Sequence, residues 1–158
     1  MRTKSNKSYT FQEPISAYQI LEKAAEILSD RYIRTDAFIN PQATMDYLSC
    51  KLGGYDKEVF AVMMLDSQHR FIEFRELFLG TIDSATVYPR EVVKTVLEAN
   101  AAAVIFAHNH PSGNSEPSQA DRAITKRLSE ALGLIDVRVL DHIVVGETST
   151  SFAERGLL

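Results

Sequence analysis

Ala103-Val104-Ile105-Phe106-Ala107-His108-Asn109-His110-Pro111-Ser112-Gly113-Asn114-Ser115-Glu116-Pro117-Ser118-Gln119-Ala120-Asp121 changes character twice. Its opening is apolar without a break, as a short strand covered on both faces requires. Two histidines then flank Asn109, and a loop stiffened by Pro111 and Pro117 follows. From Ser118 onward Ile124, Leu128 and Leu132 recur at helical spacing until Gly133 closes the run. A strand handed directly to a helix in this way is a crossover connection, which belongs to an α/β domain.

The flanking sequence extends the same alternation. Upstream, Pro89 opens a helix whose inner face is Val92, Val93, Val96 and Leu97, with Asn100 as its stop. Before a short linking segment after Gly80, residues 58–65 read as a doubly covered strand and Phe71 to Leu79 as its hairpin partner. The turn between them runs Asp66 to Arg70, with His69 solvated at its tip. Asn40-Pro41 supplies a cap and first position for a helix carrying Met45 and Leu48, ended by Gly53-Gly54. Ser16 and Gln19 form a capping box for an earlier helix, with Ile20, Leu21, Ala24, Ile27 and Leu28 inward and an end near Tyr32. Downstream, Val137 to Val145 is a further strand, and the tail Phe152 to Leu158 is apolar enough to pack. Hairpin and crossover connections together predict an α/β fold with a mixed β-sheet flanked by helices. The expected organisation is a loose arm over 1–13, a helix within 14–38 and the main domain over 39–158.

Bulk properties narrow the class. With 158 residues the chain holds one sizeable core. A net charge of -4, with Lys and Arg spread along the chain, gives no support to strong nucleic-acid binding, which rests largely on phosphate neutralisation. The single cysteine, Cys50, excludes an intramolecular disulfide and a cysteine-based metal cluster, and reads as packing. No apolar run approaches the ~20 residues of a membrane span. The first ten residues are basic and polar, unlike a secretory leader. A reducing, cytoplasmic setting is expected.

The chemistry concentrates at the strand exit. Residues two apart on a strand point to one side, so His108 and His110 can aim both rings at one point, and the loop can fold Asp121 back toward them. Two nitrogens and a carboxylate oxygen make a three-ligand set that leaves a tetrahedral zinc one position for water. Alternatives stand beside this reading. Ser118 and Asp121 also have the spacing of a helix capping box, and the histidines could be loop residues making hydrogen bonds.

His108-x-His110, seven residues, then Ser118-x-x-Asp121 resembles the JAMM signature of the JAB/MPN metalloproteases. The resemblance is closest to the bacterial RadC branch, through Pro89-Arg90-Glu91-Val92, Ala107 to Gly113, Leu140-Asp141-His142-Ile143 and Ala153 to Leu158. It covers about Ile39 to the C-terminus. It implies a JAB/MPN, cytidine deaminase-like architecture, with zinc on His108, His110 and Asp121. It also implies Ser118 as an oxyanion donor and an upstream glutamate as proton carrier. Glu58 is the residue expected in that last role, with Glu73 and Glu76 as competitors. The implied reaction is hydrolysis of a peptide or isopeptide bond in an unidentified peptide or protein. A small-molecule amidohydrolase would share the site, and a non-catalytic accessory module in DNA repair or mobile-element maintenance is the alternative. Longer RadC-like proteins carry a helix-hairpin-helix module. This chain is expected to be a short form without it, which weakens the case for DNA as a partner. His142 is expected to make structural hydrogen bonds, and Asn109 and Ser112 to support the loop.

Overall fold

A computed structural model of the chain describes residues 7–33, 40–80 and 87–158. The elements are α1 (Ala17–Ile33), α2 (Pro41–Leu52), β1 (Val59–Leu65), β2 (Phe71–Leu79), α3 (Pro89–Glu98), β3 (Ala103–Asn109), α4 (Gln119–Gly133), β4 (Arg138–Val145) and β5 (Ser149–Ser151). The strands form one sheet in the order β2-β1-β3-β4-β5. β1 runs antiparallel to both β2 and β3, β3 is parallel to β4 across the α4 crossover, and β5 returns antiparallel to β4. The sheet is therefore mixed, with helices on both faces.

Alternation along the two central strands builds a core on each side of the sheet. Val59, Ala61, Met63 and Leu65 of β1 join Ala103, Ile105 and Ala107 of β3 under Ala25 of α1 and Tyr47, Leu48 and Leu52 of α2. The intervening residues Phe60, Val62, Met64, Val104 and Phe106 face Val92 and Val96 of α3 and Ile124, Leu128 and Leu132 of α4. Every residue of β1 and β3 is buried, as strands covered on both faces must be.

The caps follow the sequence. Ser16 Oγ accepts from the Gln19 amide at 3.2 Å while Gln19 Oε1 accepts from the Ser16 amide at 2.8 Å. Asn40 caps α2 ahead of Pro41, and Asn100 takes a left-handed φ of 52° just past α3. Helix faces differ from expectation at two places. Ile20 and Leu97 are exposed, and the smaller Ala25 and Thr95 are buried in their helices instead. Of the tail, only Phe152 is fully buried; Leu158 is exposed. His69 is half-buried and sits 2.9 Å from an Arg138 guanidinium nitrogen, so it is not simply solvated. β5 is unanticipated, being a run of serine and threonine without an apolar signal. Residues 7–13 carry no helix or strand; the rest of the expected arm, residues 34–38 and the linking segment over 81–86 lie outside the described residues. Among the described residues, no helix is long and apolar enough to cross a membrane.

Candidate metal centre

The site forms where β3 ends, β1 begins and α4 starts. His108 is the last but one residue of β3 and is fully buried on the α3/α4 side of the sheet, beside Phe60 across the strand pair. His110 lies just past the strand, its amide donating to the Val145 carbonyl at 2.8 Å. Asp121 enters from the first turn of α4 and is 2 % exposed. One ligating atom from each of the three lies within 4.8 Å of the others.

The distances are closer than that bound. His108 Nε2 and His110 Nε2 are 2.9 Å apart. Asp121 Oδ1 is 3.3 Å from His108 Nε2, and Oδ2 is 3.3 Å from His110 Nε2. Tetrahedral ligands about 2.0–2.1 Å from a common centre lie roughly 3.3 Å from one another. The Nδ1 of His110 is 2.7 Å from the Asn114 carbonyl oxygen, which can only accept, so Nδ1 carries the proton and the inward Nε2 of the neutral ring is bare. A bare imidazole nitrogen, a second imidazole and a carboxylate facing one point are a donor set suited to a cation, and the residues fit a divalent metal.

The electrostatics agree. Burial works to raise the Asp121 pKa, but the His108 and His110 imidazoles beside its oxygens hold it well below the usual carboxylate range. The His110 pKa is raised, foremost by the Asp121 carboxylate beside it and against the opposing effect of burial; the Asn114 carbonyl and the charge of Glu58 add to the rise.

Asp121 also closes the capping box. Its Oδ2 accepts from the Ser118 amide at 2.7 Å, and Ser118 Oγ accepts from the Asp121 amide at 3.0 Å. Capping and convergence on the histidines therefore occur together. Ser118 is exposed, and its hydroxyl hydrogen is not used in the cap.

Glu58 precedes β1. Continuing the β1–β3 register, in which Phe60 faces His108, by two residues sets Glu58 opposite His110 on the same side of the sheet. Its charge acts on His110. The competitors are elsewhere. Glu73 pairs with Arg75 opposite Met64, about 13 Å along the strand from Phe60. Glu76 accepts from the Tyr55 hydroxyl at 2.7 Å and lies opposite Ala61, on the other face.

Three residues gain importance from the structure. Asn109, 2 % exposed between the two histidines, accepts from the Val59 amide at 2.7 Å and donates to the Lys57 carbonyl at 2.9 Å. It clamps the backbone on both sides of Glu58. His142 makes the hydrogen bonds expected of it, and one of them joins His108, with 2.7 Å between His142 Nε2 and His108 Nδ1. Thr125 in turn lies 2.6 Å from His142 Nδ1. A histidine inside the apolar run of β4 and a threonine one turn after Asp121 were the available signals. Ser112 stays within the loop, accepting weakly from the Asn114 amide at 3.4 Å.

Comparison with known proteins gives concordant matches. The model of the family described as RadC-like JAB domain matches residues 38–157. A UPF0758 protein of Vibrio cholerae is 67% identical over 150 residues, covering 95% of this chain and 96% of the relative. A second from the same organism is 61% identical over 150 residues. A UPF0758 protein of Thioalkalivibrio sulfidiphilus is 56% identical over 139 residues, and there the match spans 88% of this chain but 62% of the relative.

Proposed function

The chain belongs to the RadC-like JAB domain family, and from that premise we propose that it is a zinc-dependent hydrolase of amide bonds, acting on a peptide or isopeptide link. The observation that carries the reading is the convergence of His108, His110 and Asp121 on one point, with His110 Nε2 turned inward. Among metals, zinc suits two imidazoles and one carboxylate, a set that leaves a coordination position open.

Bound there, zinc supplies Lewis acidity toward water and toward a carbonyl oxygen. The chain does the rest. Glu58 accepts the proton lost by the attacking water and delivers it to the departing amine nitrogen. Ser118 donates its hydroxyl hydrogen to the oxygen that becomes negative as the carbonyl carbon turns tetrahedral. Asn109 holds the Glu58 peptide in place, and Asp121 orders the helix start that presents Ser118. Water's oxygen ends on the new carboxylate, the C–N bond breaks, and both water protons are accounted for on amine and acid. A cavity of about 300 Å³ lies beside the loop after β3, bordered by His110, Tyr55 and Glu147.

Two measurements test this. Elemental analysis of purified protein is expected to give about one zinc per chain, absent from the double variant His108→Ala/Asp121→Ala. Incubation of the zinc-loaded protein with a mixture of linear and isopeptide-linked peptides, read by mass spectrometry, should yield paired fragments whose masses sum to parent plus water. Full zinc occupancy in the double variant would refute the assigned ligands.

A further inference from the structure

His142 occupies the interior of β4 among aromatic rings, a costly place for an imidazole whose nitrogens lack partners. It is fully buried, stacked on Phe152 at 4.7 Å between centroids and 21° between planes, with Phe60 and Phe106 edge-on at 5.7 and 6.1 Å. Both nitrogens are nevertheless engaged. Nε2 meets His108 Nδ1 at 2.7 Å, and Nδ1 meets Thr125 Oγ1 at 2.6 Å. The direction of each bond follows from the far end of the chain. Thr125 Oγ1 is 2.6 Å from the Asp121 carbonyl oxygen, which can only accept, so the hydroxyl hydrogen points there. Thr125 Oγ1 must then accept from His142 Nδ1–H. A neutral His142 is left with a bare Nε2, so His108 donates from Nδ1 and its own Nε2 is bare.

We propose that His142, oriented by Thr125, is a positioning residue that fixes the tautomer and ring angle of His108 so that Nε2 faces His110 and Asp121 as a metal donor. The inference rests on the metal centre proposed above. The partner on the far nitrogen of a ligating histidine is ordinarily a carboxylate, a backbone carbonyl or water. Here it is an uncharged imidazole, so Asp121 remains the sole anion among the ligands and their immediate supports. The relay ends on the Asp121 carbonyl, which ties two of the three ligands into one line of hydrogen bonds.

The test uses the full chain, with long-range ¹H–¹⁵N correlation on metal-free protein and zinc titration against a competing chelator. Wild-type His108 is expected to carry its proton on Nδ1. His142→Phe keeps the stacked ring but removes both hydrogen bonds, and zinc affinity should fall roughly 10–100-fold. His142→Gln, whose Oε1 can accept from His108, should recover much of that loss. Thr125→Val frees His142 to protonate Nε2, so a His108 population protonated on Nε2 should emerge with weaker zinc binding. A wild-type His108 protonated on Nε2, or unchanged zinc affinity in both His142→Phe and Thr125→Val, would overturn the proposal. Failure of the wild type to bind zinc would overturn the metal centre itself, while the tautomer measured without metal reports on the relay separately.

Discussion

At Asp121 one carboxylate offers about four lone-pair sites; the Ser118 amide takes one, and the two oxygens also face the His108 and His110 rings at 3.3 Å. The i to i+3 spacing alone could not separate capping from ligation, because both uses need an acid at that helical position. Only the distances reveal that they are compatible. The choice among glutamates was open in the sequence. Three glutamates on or beside the hairpin share composition, and face and register distinguish them. Glu58 comes to the His110 side, whereas Arg75 engages Glu73 and Tyr55 engages Glu76. Glu58→Gln should therefore lower turnover of any peptide the wild type cleaves by about 10²–10⁴-fold, with zinc content unchanged. Glu73→Gln and Glu76→Gln should remain near wild type in the same assay. A comparable loss in Glu76→Gln with Glu58→Gln unaffected would move the proton carrier to the other face of the sheet.

Among the elements, the loop after β3 and the turn between β4 and β5 behave as one unit. The His110 amide donates to Val145, and the Glu147 amide donates to Gly113, at 2.8 Å each. Ser115 and Thr150 hydroxyls meet at 2.9 Å. A Cβ on Gly146 would fall 2.4 Å from the Gly113 carbonyl oxygen, so a side chain there forces the loop away from the turn. Gly146→Ala should cost about 1–3 kcal/mol by overpacking and weaken zinc binding, because His110 sits in the displaced loop. Gly133→Ala, at the end of α4 with nothing within 4 Å of the added carbon, is the control. It should be neutral or stabilising by about 0.5–1 kcal/mol. Thermal melts and zinc titrations on the two variants check this, and equal behaviour would refute the coupling. Strand and helix existence were readable from apolar spacing and caps. The β5 partner was not, because Ser149, Thr150 and Ser151 are recruited by edge pairing with β4 rather than by burying apolar side chains. Nor did spacing say which apolar residues face inward. Close packing chose Ala25 and Thr95 over the larger Ile20 and Leu97, a matter of helix orientation rather than hydrophobicity.

For the molecule as a whole, the continuous apolar runs of β1 and β3 already implied two covered faces, and the structure supplies a core on each. At the start of α4 the candidate ligands bridge sheet and helix, since His108 and His110 come from the strand and its exit while Asp121 belongs to the helix. A cation held by both would fasten the crossover shut in the folded chain only. Ligand binding to the native state stabilises it by RT ln(1 + [L]/Kd), about 2.7 kcal/mol at a free concentration of 100 Kd. For a domain of this size each kcal/mol moves the midpoint roughly 2–4 °C, so saturating zinc should raise Tm by about 5–10 °C over chelator-treated protein. His110→Ala keeps the Asp121–Ser118 cap but removes a ligand, and its Tm should be nearly the same with zinc and with chelator. An equal zinc-dependent rise in that variant would mean that the stabilising ion binds elsewhere, and the strand-to-helix fastening would have to be abandoned.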